Sequence, residues 1–127
     1  MESLRNPQLC ILPDRLCVIF ERQKYQRIIM KIPKIKLTTN PETEDAKKAI
    51  GYEWNEICGT RHFLGGKPDG INEIDYPKCN NCNNEMTFYA QIDSIGDKYD
   101  LADCMVIHNF VCFDCFEVKA ILNQVLT

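Results

Sequence analysis

The chain has 127 residues, of which 45% are hydrophobic and 26% are charged. That length suits one domain with a modest core, and the composition is that of a globular protein rather than a disordered one. There is no run of 18 apolar residues, and the first residues lack the apolar stretch of a secretory signal peptide. We therefore expect a single domain over residues 1–127, located in the cytoplasm and without membrane contact.

The net charge is only −3, but the charges are unevenly distributed along the chain. Residues 1–40 carry eight Lys and Arg against three acids, whereas residues 69–103 carry eight acids against two lysines. Two solvated faces would explain this pattern, and an acidic surface for a basic partner is the alternative. The candidate partner contacts are Asp93, Asp97, Asp100 and Asp103, with Glu73 and Asp75 near them.

The first half of the chain predicts strands and one short helix. Residues 16–21 and 25–32 are rich in Ile, Val and aromatic residues, which favours strands. Residues 31–37 predict an edge strand or an extended segment, because Pro33 cannot donate a hydrogen bond. A helix of about 8–10 residues should follow, with Asn40 as its N-cap, Pro41 at its first position and Gly51 just after its end.

The second half predicts a loop region and then an antiparallel hairpin. Residues 59–76 are rich in Gly, Pro, Asn and Asp and should form loops. Residues 86–92 and 103–111 predict strands with a turn at 93–100. The last stretch is either a helix capped by Asp114 or a strand, because its apolar spacing does not settle the period. The expected fold class is α+β, a β-rich single domain with an antiparallel sheet.

Two Cys-x-x-Cys pairs are the most specific motif of the chain. Cys79 and Cys82 form the first pair, and Cys112 and Cys115 form the second after a gap of 29 residues. A structural zinc ion prefers four such ligands in a closed tetrahedral shell. The two predicted strands between the pairs would bring Cys82 and Cys112 together, as in a zinc ribbon. We therefore predict structural Zn²⁺ on these four cysteines, in a zinc-ribbon-like hairpin over about residues 77–116.

The sequence around the pairs supports this turn and leaves some alternatives open. Asn83 and Asn84 tolerate the left-handed backbone that such turns commonly need. A redox dithiol or free thiols are the alternatives. A redox pair normally precedes a helix, whereas the first pair precedes a predicted strand. Either Cys104 or His108 could replace one thiolate; otherwise both belong to the sheet face or the core.

The remaining cysteines and His62 give weaker indications of function. Cys10, Cys17 and Cys58 have no partner at metal-binding spacing, and small buried apolar roles are expected for them. His62 lies beside an arginine in a glycine-rich loop. It could bind an anion there, and a solvated side chain is the other interpretation.

The order of the motifs resembles a known family. "FLGGKPDGINE", "YPKCNNCNNEMTFYAQID" and "FVCFDC" are similar to the YwqG-like domain family of bacteria, over about residues 62–116. The likeness to the zinc-binding region of the programmed cell death protein 2 family is more distant. The matched positions are Gly65, Gly66, Pro68, Cys79, Cys82, Met86, Phe88, Gln91, Cys112 and Cys115.

This resemblance implies zinc binding and no settled catalytic activity. Relatives of the domain occur beside polymorphic toxins, where they look like immunity proteins. The chain departs from the family in having Asn83 where a glycine is common, and in being much shorter than typical members.

An enzymatic activity is not expected from these residues. The chain has two serines, Ser3 and Ser94, and neither lies in the motif of a hydrolase nucleophile. Four thiolates would also fill the coordination position that a catalytic zinc keeps open for water. No phosphate-binding glycine motif is present.

Two kinds of binding protein remain. The basic N-terminal segment with Tyr25 could follow a phosphate backbone, as zinc ribbons often do. The predicted hairpin is acidic, however, and would repel nucleic acid. We therefore predict a zinc-stabilised protein-binding module, most specifically an immunity protein that neutralises a toxin partner, perhaps a basic nuclease. A zinc-ribbon nucleic-acid-binding protein is the alternative.

Overall fold

A computed structural model describes residues 30–125, and these form a small β-rich domain with little helix. Five strands lie in the order β1-β2-β3-β4-β5, and each neighbouring pair is antiparallel. The predicted antiparallel sheet is therefore confirmed. The elements are β1 (Ile35–Lys36), α1 (Glu44–Ala49), β2 (Phe63–Leu64), β3 (Thr87–Asp93), β4 (Val106–Val111) and β5 (Val118–Asn123), with 3-10 helices at Glu73–Asp75 and Asp97–Tyr99.

The three long strands form the frame that positions the cysteines. β3 pairs with β4 from Thr87↔Val111 to Asp93↔Val106, with an irregularity between Phe88 and Ala90. Pairing of β4 with β5 is regular over all six residues of each strand. The predicted hairpin of β3 and β4 is thus present. Its turn end, at Asp93, and its open end, at Thr87, are separated by the seven-residue length of β3.

The core lies against one face of this sheet. Aromatic rings pack edge to face there. The ring centroid of Phe88 lies 5.7 Å from that of Phe110 and 5.9 Å from that of Phe63. Such edge-to-face contacts add to the stabilisation from burial. The core cluster is Phe63, Cys79, Met86, Phe88, Phe110 and Cys112. Two of the motif cysteines therefore belong to the hydrophobic core itself.

The single α-helix of the described range begins later than the sequence predicted. Thr43 is its N-cap, and the Thr43 hydroxyl accepts a hydrogen bond of 3.0 Å from the N–H of Ala46. The choice of Asn40 was therefore wrong, because Thr43 supplies the same chemistry three residues on. Gly51 follows the helix with φ of 98°, the left-handed role expected of it. No helix within residues 30–125 has the length and apolar content to cross a bilayer.

The strand predictions met four different outcomes. β1 is an edge strand as expected. The C-terminal stretch is a strand rather than a helix, because β5 satisfies its backbone on the free edge of β4. β4 begins at Val106 instead of residue 103, since φ is positive from Ala102 to Cys104. The strands predicted at 16–21 and 25–32 lie outside the described residues, except for residues 30–32, which are not in a strand.

Candidate metal centre

The two Cys-x-x-Cys pairs form two turns with the same backbone hydrogen bonds. In the first turn, residues 79–84, the N–H of Cys79 donates to the carbonyl of Asn84 at 2.8 Å, and the N–H of Asn83 donates to the carbonyl of Cys79 at 2.9 Å. The second turn, residues 112–117, repeats both bonds at equivalent positions, at 2.9 and 2.7 Å. We call them the first and second knuckle. Each holds its two sulfurs on the same side of a tight loop.

Each knuckle needs a left-handed residue directly after its second cysteine. The φ angle is 60° at Asn83 and 59° at Phe116. Asparagine tolerates this region, so the prediction for Asn83 is confirmed. Phe116 was not predicted, because a bulky residue is rare there. Its position, equivalent to Asn83 in the second knuckle, is the signal that could have found it.

Side-chain hydrogen bonds join the two knuckles. The amide of Asn81 donates to the carboxylate of Glu117, and the amide of Asn84 donates to that of Asp114, both at 2.9 Å. In each bond the asparagine lies two residues after one cysteine of the first knuckle. Its acidic partner lies two residues after a cysteine of the second. From the sequence, Asn84 was considered only for its backbone conformation, and this pairing was not predicted.

The four sulfurs have a spacing that suits a tetrahedral metal ion. All four Sγ atoms lie within 4.8 Å of one another. The Sγ of Cys115 lies 3.2 Å from that of Cys79, 3.6 Å from that of Cys112 and 3.8 Å from that of Cys82. A tetrahedral zinc ion with Zn–S bonds of about 2.3 Å requires sulfur separations of about 3.8 Å. The cluster can therefore hold a metal ion such as zinc.

The thiols of this cluster differ in acidity. Burial raises the pKa of Cys79, but hydrogen bonds from the Cys82 N–H, the Cys115 thiol and the Asn81 N–H outweigh burial and lower that pKa to about 7. Burial and the neighbouring thiols raise the pKa of Cys115. Four thiolates this close repel one another, so full ionisation requires a bound cation.

Neither of the alternative ligands joins the cluster. Cys104 is bonded to Cys58 in a disulfide. His108 is buried, with Nε2 2.8 Å from Gln91 Oε1 and Nδ1 2.8 Å from Asn123 Nδ2. Because an amide oxygen only accepts and an amide nitrogen only donates, Nε2 of His108 carries the proton. Burial lowers the pKa of His108, which favours this neutral form.

The disulfide corrects the expectation for Cys58. This residue is buried as predicted, with 4% exposure, but it is covalently paired rather than a free apolar filler. Its partner, Cys104, is 46 residues away, so the spacing carried no signal. Cys10 and Cys17 lie outside the residues that the structure describes.

One of the predicted partner contacts, Asp93, is not on the surface. Its side chain is 1% exposed and accepts two hydrogen bonds of 2.7 Å from the guanidinium of Arg61. Burial alone would raise the pKa of Asp93, but the bonds from Arg61 and from the Gly59 N–H hold it below its ordinary value. The prediction for Asp93 was therefore wrong, because this carboxylate is committed to a buried ion pair.

His62 belongs to the same buried group. Its Nδ1 accepts a hydrogen bond of 3.0 Å from the N–H of Asp93, and its Nε2 lies 3.1 Å from the carbonyl oxygen of Gly59. The side chain is 9% exposed and so is not solvated. Both of its nitrogens are occupied within the protein, which also leaves no donor for an anion.

The other three aspartates of the hairpin are exposed, and two of them hold neighbouring side chains. Asp97 accepts a hydrogen bond from the indole N–H of Trp54 at 2.8 Å. Asp100 accepts from the hydroxyl of Tyr52 and from the N–H of Cys104. Asp103 makes no side-chain hydrogen bond among the described residues, and only its carbonyl accepts a bond. Of the three carboxylates, that of Asp103 is therefore the most available for contact with a partner.

The remaining two predicted contacts lie on a different turn. Glu73 and Asp75 are on the first 3-10 helix, where Glu73 lies 3.7 Å from Lys31. Asp75 lines a cavity of about 210 Å³. Among the described elements, this turn makes no contact with the 3-10 helix at Asp97–Tyr99. The six predicted contacts are thus not brought together into one surface.

Comparison with known proteins gives no further guide. No protein-family model matches the chain, and no significant match is found among curated proteins or solved structures. Any function must consequently be inferred from the geometry of the described residues.

Proposed function

We propose that the protein is a non-enzymatic protein-binding module stapled by a structural zinc, and that it is an immunity protein for a toxin partner. One observation carries this proposal. Asp97, Asp100 and Asp103 are exposed in the turn between β3 and β4, whereas the four cysteines lie beyond the other end of the same two strands. A metal ion at the knuckles would then stabilise the hairpin without taking part in recognition.

The donor set supports a structural metal. Four thiolates complete the coordination shell of zinc and leave no position for a water molecule or a substrate. Cys79 and Cys112 are also part of the hydrophobic core, with 2% and 0% exposure. A zinc ion there would tie the core to both knuckles, in the manner of a zinc-ribbon-like hairpin. These features favour a binding protein over a metalloenzyme.

The charge of the turn supports a basic partner. Exposed aspartates attract cationic surfaces, accelerate association and repel nucleic acid. A nuclease toxin, which binds phosphates through basic residues, is the kind of protein that such a surface would block. The resemblance to a bacterial family whose members look like immunity proteins is consistent with the same role.

Growth rescue tests this proposal. Basic proteins encoded beside the gene of this chain would be produced alone and together with it, in the native host. We expect one of them to arrest growth and the wild-type chain to restore it through a stoichiometric complex. Glu53 lies beside the exposed aspartates of the turn, since its N–H donates to Asp97 Oδ2 at 3.0 Å. The Glu53→Lys/Asp103→Lys variant should slow association about tenfold or more, because it reverses two exposed charges. The Glu73→Lys/Asp75→Lys variant is the matched control, because it reverses two exposed charges on a 3-10 helix that does not contact this turn, and it should leave association unchanged.

Two results would contradict the immunity role. Failure of every such protein to bind would contradict the immunity role. Co-purification of RNA or DNA, lost at high salt, would instead support the zinc-ribbon nucleic-acid-binding alternative.

A further inference from the structure

Two adjacent loops expose several large apolar side chains. We call residues 51–59 and 94–103 the paired loops. Single exposed apolar residues are ordinary, but a group of them indicates an interaction site. The exposed members are Trp54 at 64%, Ile57 at 51%, Ile95 at 48% and Tyr99 at 51%. Nothing within residues 30–125 buries them.

The paired loops are fastened to each other. The N–H of Gly51 donates to Ile95 at 3.0 Å, and the N–H of Asp97 donates back to Gly51 at 3.2 Å. The Cys58–Cys104 disulfide joins the same two regions of the chain. Gly96 permits this close approach, because a Cβ there would collide with backbone atoms of Ala49 and Gly51. The loops therefore present one surface of fixed shape.

Trp54 is held in a defined orientation although most of it is exposed. Its indole N–H donates to Asp97 Oδ1 at 2.8 Å, and its ring meets the ring of Tyr52 edge to face at 5.4 Å. Tyr52 is in turn held by Asp100. A side chain fixed before binding loses less conformational entropy when it is buried. Tryptophan is also the residue type most enriched at energetic centres of interfaces.

The charge around Trp54 limits the chemistry of the partner. The paired loops carry five acids, Glu53, Glu56, Asp97, Asp100 and Asp103, and one base, Lys98, a net charge of −4. Nucleic acid and anionic lipid surfaces would be repelled by this charge. A protein with Lys and Arg side chains around an apolar recess is complementary to it.

We infer that Trp54 is the apolar anchor of the interface, inserted into a recess on a basic partner protein while the surrounding acids face its Lys and Arg side chains. Asp97 is the positioning residue that sets the indole. This inference rests on the proposed function, because it names the surface and the chemistry through which the same partner would be bound. It adds apolar burial to a contact that the sequence presented as purely electrostatic.

Trp54 is itself the probe for the experiment, since it is the one tryptophan of the chain. The titrant is the basic protein that the wild-type chain retains from a native-host lysate, purified before use. We expect a blue shift of tryptophan emission that saturates at one partner per chain. Trp54→Ala should weaken binding at least about 30-fold, mainly through faster dissociation. Tyr89→Ala, an exposed aromatic in the middle of β3, is the matched control and should bind normally.

The role of Asp97 has its own readout. Asp97→Ala should increase the mobility of the indole in the free protein, measured as a fall in tryptophan fluorescence anisotropy, and should weaken binding. Asp97→Asn should restore the anisotropy, because an amide oxygen still accepts the indole hydrogen bond. Equal anisotropy in the wild type and in Asp97→Ala would overturn the positioning role.

Three further results would overturn the anchor. If Trp54→Ala binds the partner as tightly as the wild type, with unchanged thermal unfolding, the anchor is wrong and the proposed function stands. If the wild-type chain retains no basic protein, both the anchor role of Trp54 and the proposed function are wrong. If the blue shift arises with rising concentration of the chain alone, the surface binds a second copy instead.

Discussion

At the scale of single residues, the buried pair of Arg61 and Asp93 shows how a charge can be kept inside this small domain. Asp93 accepts bonds from the Arg61 guanidinium and from the backbone N–H groups of Gly59, Arg61 and Ser94. Arg61 also donates to the carbonyl of Cys104 at 2.9 Å. The pair therefore connects both paired loops to the end of β3, and breaking it would leave a buried cation without its partner.

Asp93→Asn should lower the free energy of unfolding by about 3–5 kcal/mol, because the Arg61 cation would stay buried without an anionic partner. Urea unfolding near neutral pH measures this loss, with Asp103→Asn as an exposed control that should cost less than about 0.5 kcal/mol. The pKa of Asp93 is lowered in the folded state. Its stabilisation is therefore present above the ordinary aspartate pKa of about 3.9 and is lost as pH falls through the folded value. A variant as stable as the wild type would contradict this role for the pair.

A second prediction at the residue scale concerns Asn83, whose φ is 60°. Asn83→Val should destabilise the domain by about 1–2 kcal/mol, because a β-branched residue is strained in the left-handed region. Asn83→Gly should be neutral or slightly stabilising, since glycine adopts this φ freely. Thermal unfolding with metal analysis would compare the two. Equal stability of the valine and glycine variants would show that the knuckle does not require this backbone conformation.

At the scale of elements, the sequence predicted the hairpin well because its signals are local. Two apolar runs with a polar turn between them gave β3 and β4, and the cysteine spacing placed the two knuckles beside each other. The C-terminal strand could not be decided, because β5 depends on the free edge of β4, which lies outside its own sequence. The start of α1 was misplaced because two residues, Asn40 and Thr43, offered the same capping chemistry.

The contacts of the candidate site also differ in how far apart their residues lie in the sequence, and only the short-range ones were predicted. The four cysteines were identified from spacing, which is a short-range pattern. The disulfide, the Arg61–Asp93 pair and the Trp54–Asp97 bond join residues 32 to 46 positions apart. Such contacts follow from the packing of the two loops, and nothing in the local sequence distinguishes Asp93 from the exposed aspartates that follow it.

Cys82→Ser tests the knuckles as a structural element. We expect the variant to lose its metal and several kcal/mol of folding free energy, because metal binding and folding are linked at such sites. Thermal unfolding with and without a chelator would measure the loss. Asn80→Ser, an exposed neighbour in the first knuckle, should retain both metal and stability. If Cys82→Ser stays folded, free of metal and stable, the staple is not needed.

At the scale of the whole molecule, the cysteine cluster and the proposed recognition surface lie at opposite ends of the β3–β4 hairpin. The cysteine cluster and the core lie towards one end, and the paired loops with their acidic and aromatic side chains lie at the other. We propose that zinc keeps the sheet intact while the loops face a basic protein. A change to an exposed side chain of the paired loops should therefore affect binding more than stability, and a change in the cysteine cluster should do the reverse. The buried Arg61–Asp93 pair at the loop end is the exception, because breaking it affects stability.

Native mass spectrometry of the chain purified from its own host tests both the zinc site and the proposed partner in one measurement. We expect a mass of one chain, one zinc ion and one basic protein, with the zinc retained when the partner is stripped off. A chain without metal would contradict the structural staple. A chain with metal that carries nucleic acid, or no partner at all, would contradict the immunity role.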